Sequence, residues 1–449
     1  MDYMKVLSKR AAVLLFFLIA FVCGTFIFIG TYVKSASTWV QYPANKHLYT
    51  NGQPNVGTIY DRNDEVLAQT VGGVRKYNSD KTVRTAVMQD VGDSNGDVAT
   101  GAQVAFAKQL SGWNLLNGAY RFDTGGNDIK LTLDANLCAV AYKALDGRKG
   151  TVGVYNYKTG EILCMVSFPS FDPENPPDIK SDPTKYTGVY MNRLLSSTYT
   201  PGSVFKLVTA AAAIDNIPDI NQRIFDCTGV LNVDSGKVTC PEVHGKVNFV
   251  QALADSCNVT FGQITLDLGA STLQKYAEKA GFNSSLYVNG IKTAEGKVNV
   301  TNADKLNLAW AGIGQYTDTA NPLTYMAYVG AIANGGVRVT PRLLENSTST
   351  EAQILSANTA KTLGAMMRND VLSNYGDSNF KGLELCAKTG TAQLSKGEQP
   401  DSWFVGYMDR ADCPLAFVVV VENGGSGITA ASPVAGKVLQ AAASSIAGK

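Results

Sequence analysis

The chain has 449 residues with 39 Lys and Arg against 38 Asp and Glu, so its charge of +1 gives no electrostatic case for nucleic acid. That length allows two or three domains, each with its own core. Two histidines, His47 and His244, leave little material for a histidine triad or a zinc centre, and His244 in Val243-His244-Gly245 reads as a turn residue.

Residues 11–33 carry no charged side chain, and 23 residues suffice for a helix across a hydrocarbon core of ~30 Å. Lys5, Lys9 and Arg10 precede this run and only Lys34 follows closely, which predicts a cytoplasmic tail at 1–10 and a single-pass anchor. The rival reading is a signal peptide cleaved at Ser35-Ala36-Ser37, but signal cores run to about 7–15 residues. A retained helix in the cell membrane, with nearly the whole protein outside it, is therefore expected.

Residues 35–53 read as a polar linker, and 57–68 as strand, turn and strand around Asn63-Asp64. Residues 79–126 are rich in Gly, Asp and Asn, with one helix at about 101–110. Together 34–128 is expected to form a small extracytoplasmic α+β module, with Asp61-Arg62 as an ion pair joining it to the rest.

Composition shifts at Asp128. Residues 129–133 read as a strand, 135–145 as a helix and 151–167 as a hairpin, followed by a proline-rich loop to Tyr190. Helical patterns dominate to about Ala333, strands return at 402–408 and 415–421, and 430–446 closes the chain as a helix. Strands at both ends with helices between predict one α/β domain over 129–449, its two ends sharing a sheet.

Eight cysteines are spread over this plan. Cys23 lies in the apolar N-terminal run, while Cys138, Cys164, Cys386 and Cys413 read as small core residues. Cys227, Cys240 and Cys257 fall within 31 residues, and none shows metal-ligand spacing, so neither a metal nor a cofactor is expected. A Cys227–Cys240 disulfide would close a 12-residue segment for about 3 kcal/mol, leaving Cys257 a buried, inert thiol. A Cys240–Cys257 bridge and three free thiols are the alternatives.

The chemistry concentrates around Tyr199-Thr200-Pro201-Gly202-Ser203-Val204-Phe205-Lys206. Pro201-Gly202 predicts a turn, and the apolar run after it a buried helix with Ser203 at its mouth. Residues three apart share a helix face, so the Lys206 amine can reach the Ser203 hydroxyl. A serine needs a neighbouring base, and a lysine serves as one when burial or a second cation lowers its pKa. Short patterns also arise by chance: Ser378 with Lys381, Ser356 with Asn358, and Lys158-Thr159-Gly160 repeat the same residue types in loop or turn contexts.

Two further motifs follow in order. Ser256-Cys257-Asn258 precedes a helical pattern at 259–268, and Lys388-Thr389-Gly390-Thr391-Ala392 follows an apolar run. Ser-x-x-Lys, Ser-x-Asn and Lys-Thr-Gly in that order resemble the signature of penicillin-binding proteins and β-lactamases. Gly57-Thr-Ile-Tyr-Asp-Arg62, Pro169-Ser-Phe-Asp-Pro173, Gly312-Ile-Gly-Gln315 and Trp403-Phe-Val-Gly-Tyr407 extend the resemblance to class B penicillin-binding proteins, the membrane-anchored peptidoglycan transpeptidases. It covers roughly residues 57–440, with Val56 standing where many members have arginine.

The resemblance implies a penicillin-binding transpeptidase fold that cross-links peptidoglycan stem peptides through a Ser203 acyl-enzyme and is acylated by β-lactam antibiotics. Lys206 would be the base, Ser256 the proton relay, and Asn258 a ligand of the substrate amide. Lys388 would lower the Lys206 pKa and attract the substrate carboxylate, which Thr389 and Thr391 would bind. Gly390 would let substrate lie against its strand, with the Ser203 and Thr391 N–H groups as the oxyanion hole. A D,D-carboxypeptidase or a β-lactamase-type hydrolase is the alternative, since the motifs do not encode what resolves the acyl-enzyme. Residues 34–128 are too few to hold a glycan polymerase, so the family likeness implies a SEDS-type membrane polymerase as partner.

Overall fold

The computed structural model describes residues 2–40, 49–50, 53–54, 56–111, 127–234, 236–393 and 399–447. The described chain divides into two compact units, one of Met1–Thr58, Ala68–Lys76 and Phe106–Ile129, the other of Ile59–Leu67, Tyr77–Ala105 and Lys130–Lys449. Residues 34–128, expected to form one module, are thus shared between the two. Most of the linker expected over 35–53, and His47, lie outside the described residues.

The first unit begins with helix α1 (Asp2–Val40), which outruns the uncharged stretch at both ends. Its segment Tyr3–Ser35 has the length and apolarity of a membrane span, and large apolar side chains such as Phe16, Phe21 and Ile27 are exposed along it. A helix apolar on all sides and left uncovered by the other described residues fits a single-pass anchor. In the same unit Gly57 is held tightly: its N–H donates to the Leu110 carbonyl at 3.0 Å, and Arg75 donates to its own carbonyl at 2.8 Å. A Cβ there would collide with the Asn127 backbone, so the position requires glycine.

The second unit is built on a five-stranded sheet: β1 (Gly150–Asn156), β2 (Ile162–Phe168), β3 (Leu385–Ala392), β4 (Asp401–Met408) and β5 (Leu415–Val421). The order is β3-β4-β5-β1-β2 and every pairing is antiparallel. Both chain ends therefore share the sheet, as the strand pattern predicts, and β3 lies at its edge. Every residue of β4 and of β5 is buried, so the sheet is covered on both faces. Helix α2 (Ala135–Leu145) supplies part of that cover. The central helices are α3 (Lys206–Asn216), α4 (Asn258–Ala280, broken at Gly269), α5 (Pro322–Ala333) and α6 (Ala357–Asp370). Helix α7 (Gly427–Ala447) packs with α2 and the sheet, while α5 packs on β1, β4 and β5.

Local details depart from the sequence reading. The strand at 129–133 shortens to Ile129–Lys130, and the helix at 101–110 splits into Ala102–Ala105 and Ala107–Leu110. Asp61 is not paired with Arg62: its carboxylate accepts from Asn63 N, Glu65 N and Ala135 N, capping a turn and the start of α2. Arg62 instead approaches Glu161 at 3.9 Å. Asp401, just before the strand expected at 402–408, is the buried first residue of β4 and accepts from Asn423 N at 3.0 Å.

Candidate active site

The nucleophile turn is anchored from several directions. Gly202–Phe205 forms a 3₁₀ turn leading into α3, with Gly202 at φ +56°, a conformation L side chains resist. A Cβ on Gly202 would lie 2.8 Å from the Thr391 carbonyl, so glycine is what lets this turn abut β3. Tyr325 of α5 donates to the Val204 carbonyl at 2.6 Å, and Trp403 of β4 donates to the Thr200 carbonyl at 3.0 Å. Upstream, buried Arg193 pairs with Glu422 at 2.8 Å, and Tyr199 donates to the same carboxylate at 2.9 Å.

Helix α3 then carries Lys206 inward, where it is fully buried. Its Nζ lies 3.1 Å from Ser203 Oγ, 3.0 Å from Ser256 Oγ, 2.7 Å from Asn258 Oδ1 and 2.5 Å from the Ser256 carbonyl. Two of these partners, the Asn258 oxygen and the carbonyl, can only accept. They occupy two N–H groups of the amine in either protonation state. The remaining tetrahedral position faces the hydroxyls, and in the neutral amine that position is the lone pair. Burial, with Lys388 as a second cation, pulls Lys206 from its usual 10.5 down to about 7. A buried amine half-deprotonated near neutrality, aimed at two hydroxyls, is suited to accept a proton from one and pass it to the other.

Ser256 and Asn258 arrive on the turn between a short helix, Phe249–Ala254, and α4. Ser256 sits at φ +54°, rare for a residue with a side chain. Asn258 Nδ2 donates to the Thr239 carbonyl at 2.8 Å, which fixes its oxygen toward Lys206. Asn374 Nδ2 bonds the Ala254 carbonyl at 2.6 Å and steadies the same turn from the π-helical turn Val371–Tyr375 that follows α6.

Lys388, on β3, is also fully buried, with its ammonium 3.6 Å from the Asp370 carboxylate at the end of α6. That carboxylate holds Lys388 above the usual lysine range, so it stays charged beside Lys206. Burial in turn raises Asp370 to about 6. Tyr375 donates to Asp370 at 3.2 Å, accepts from the Thr389 N–H at 3.0 Å, and lies 3.0 Å from Thr389 Oγ1. Thr391 faces solvent, and a Cβ on Gly390 would lie 2.8 Å from the Pro201 carbonyl. The residues singled out by sequence thus converge on one cleft of about 440 Å³, lined by Ser203, Ser256, Asn258, Thr389 and Thr391.

Three features escape the sequence reading. Asp370 and Tyr375 stand behind Lys388, 18 and 13 residues from it in the chain. His244, expected as a turn residue, lies with Cys227, Cys240 and Cys257 in one group whose ligand atoms are all within 4.8 Å of one another. All three cysteines are free thiols, so neither expected disulfide is formed. The look-alike motifs stay away from the cleft: Lys158 bonds Asn334 on the surface, and Ser356 caps α6.

Residues 150–440 match the family described as Penicillin binding protein transpeptidase domain. The chain is 27% identical over 348 residues to peptidoglycan D,D-transpeptidase PbpA of Mycolicibacterium smegmatis, covering 69% of this chain and 70% of that protein. It is 28% identical over 349 residues to stage V sporulation protein D of Bacillus subtilis, covering 70% of this chain and 53% of that one, about half its length. A solved D,D-transpeptidase domain from Eggerthella lenta superposes with a TM-score of 0.72 at 26% identity, covering 88% of this chain and 99% of that one. Penicillin-binding protein A of M. tuberculosis, as its penicillin G acyl-enzyme, shares the fold with a TM-score of 0.74 at 23% identity, over 87% of this chain and 99% of that one.

Proposed function

The chain belongs to the penicillin-binding protein transpeptidase family, and we propose that it cross-links peptidoglycan as a serine D,D-transpeptidase with Ser203 as nucleophile. Ser203 Oγ attacks the carbonyl between the terminal D-alanines of a stem peptide as its proton passes to neutral Lys206. The tetrahedral oxyanion is held by the N–H groups of Ser203 and Thr391, each worth about 3 kcal/mol in comparable sites. Lys206 returns the proton through Ser256 to the departing D-alanine nitrogen, and the C–N bond breaks to leave an acyl-Ser203. The amine of a second stem peptide then attacks that ester and regenerates the hydroxyl. Asn258 orients the substrate amide. Lys388, Thr389 and Thr391 take its carboxylate, and Gly390 lets the substrate run along the edge strand β3. A β-lactam enters the same path and stops at the acyl-enzyme.

The observation that carries this reading is the position of one buried amine, about 3 Å from both serine hydroxyls and held near neutrality by Lys388. Incubating the full chain in detergent with a fluorescent penicillin tests it. Ser203→Ala should abolish labelling and leave the thermal midpoint nearly unchanged. Labelling that survives, or moves to Ser378, refutes the assignment. Bound label should persist for many minutes, whereas rapid release would make the protein a β-lactamase-type hydrolase.

We further propose that α1 crosses the membrane with residues 1–10 in the cytoplasm, supported by Lys5, Lys9 and Arg10 on that side. A SEDS-type polymerase would then supply the glycan strands, contacting α1 where Gly24, Thr25 and Gly30 allow close approach. Replacing residues 1–33 with an unrelated single-pass anchor should reduce co-purification with that polymerase. Undiminished co-purification and complementation would reduce α1 to a tether.

A further inference from the structure

We propose that Cys227, Cys240, His244 and Cys257 form a closed Zn²⁺ site that braces the Ser256-Cys257-Asn258 turn. The four residues come from separate pieces of local structure. Cys227 ends the strand Ile224–Cys227, in register with Gly245 of Gly245–Asn248, and His244 sits immediately before that partner strand. Cys240 follows the hairpin Val230–Val233 and Gly236–Thr239, and its N–H is held by the Gly229 carbonyl at 2.9 Å. Cys257 is the cap of α4. Backbone pairing therefore presents all four donors to one point before any ion is considered.

The four donor atoms lie within 4.8 Å of one another, and two of their six separations are close to the edges of a coordination tetrahedron. Zn–S bonds of about 2.3 Å and a Zn–N bond of about 2.0–2.1 Å place ligand atoms about 3.8 Å apart for S···S and about 3.6 Å for S···N. Cys240 Sγ and Cys257 Sγ are 3.7 Å apart, and Cys227 Sγ lies 3.4 Å from His244 Nδ1. A disulfide needs about 2.05 Å, and three thiols cannot pair among themselves without leaving one over. Three soft thiolates with one imidazole are a donor set characteristic of structural zinc.

The surroundings suit thiolates. Cys240 Sγ accepts from the Asn258 N–H at 3.0 Å and the Val259 N–H at 3.4 Å, at the start of α4. Cys257 Sγ accepts from Thr260 Oγ1 at 3.2 Å and the Thr260 N–H at 3.4 Å. Such donors hold the negative charge left when three thiols lose their protons to solvent on binding Zn²⁺. With all four positions filled by protein the ion has no open site, so its role is structural and separate from catalysis. One ligand, Cys257, lies between Ser256 and Asn258, and another, Cys240, accepts the Asn258 N–H. The metal thereby holds Ser256 in its left-handed conformation and Asn258 against Lys206.

The test uses the full chain, purified in detergent with a thiol reductant and incubated with zinc chloride. After desalting, elemental analysis should find about one zinc per chain, and cobalt chloride in its place should give the absorption of a tetrahedral thiolate centre. Cys227→Ser and His244→Ala should each lower retained zinc at least about tenfold. Chelation of the wild-type protein under reductant should lower its thermal midpoint, and restoring zinc should recover it. The wild-type measurements stand even where a variant fails to fold. Absence of stoichiometric metal in the reduced wild-type protein, zinc retained by both variants, or a thermal midpoint indifferent to zinc would each overturn the proposal. None of these readouts depends on transpeptidation, so their failure would leave the assignment of Ser203 standing.

Discussion

The Lys206 amine should set the pH dependence of acylation, and its value is tunable through Lys388. At about 7 it is half neutral at pH 7, against a usual lysine value of 10.5. Its competent form is the neutral one, so activity is present above this pKa and is lost as pH falls through it. Taking the rate as proportional to the neutral fraction, about 9% at pH 6 rises to about 91% at pH 8, roughly a tenfold gain. Lys388→Met removes the second cation that helps hold the value down. Where it stays ionised, Asp370 also raises Lys206 once the cation between them is gone, so both changes act in the same direction. The midpoint should then move alkaline by roughly one unit, a change of about 1.4 kcal/mol between the two forms of Lys206. The assay is the second-order rate constant for fluorescent-penicillin acylation between pH 5.5 and 9.5 at constant ionic strength. Weaker carboxylate binding in the variant lowers the plateau but not the midpoint, so the two effects separate. A wild-type profile flat between pH 6 and 8, or an unmoved midpoint in Lys388→Met, would refute the reasoning.

Asp370→Asn leaves the Lys388 ammonium buried without its counter-charge and should destabilise the protein by about 3–5 kcal/mol. The double variant Asp370→Asn with Lys388→Met should recover most of that in thermal melts, and a single variant melting like wild type would show the pair to be energetically idle. Gly202→Ala places a methyl group 2.8 Å from the Thr391 carbonyl in a left-handed conformation costing about 1–2 kcal/mol. Acylation should fall at least about tenfold in stopped-flow measurements, because the Ser203 turn must withdraw from β3; an unchanged rate would mean that this contact does not set the geometry.

The three motifs were readable because each is local, and the shared sheet because each of its strands is a local pattern. Ser203 and Lys206 are one helical turn apart, the run that became β5 is apolar throughout, and that of β4 is mostly apolar after its first two residues. Asp370 lies 18 residues before Lys388 and resembles nothing catalytic, yet a signal was present. Ala360, Leu363 and Met367 form the buried stripe of α6, and Asp370 continues it by three residues. A carboxylate in register with a buried stripe demands a partner, which the sequence could announce but not identify. The cysteines gave no such sign. Their spacings follow no short metal motif, since register between strands, not separation along the chain, brings Cys227 to His244. The turn at Asp61-Arg62 shows the reverse error: adjacent opposite charges suggested a pair, but the backbone N–H groups of the turn were nearer claimants for the carboxylate.

The sheet order has a consequence for how the protein comes into being. β1 pairs with β2 within a hairpin, but its other neighbour, β5, begins 265 residues after β1 does. β3, which faces the Ser203 turn, can join the sheet only through β4 and β5. During synthesis at about 5–20 residues per second, the interval between β1 and β5 is on the order of tens of seconds. Over that time the apolar edge of β1 has no strand to pair with, and the long loop closure makes spontaneous docking slow. A protein assembled this way is exposed to edge-strand aggregation until its last strand arrives, and to chaperone capture at β1 in particular. It also means that a nascent chain carries Ser203 and Lys206 long before it carries an enzyme, so β-lactam can acylate only chains that have already folded.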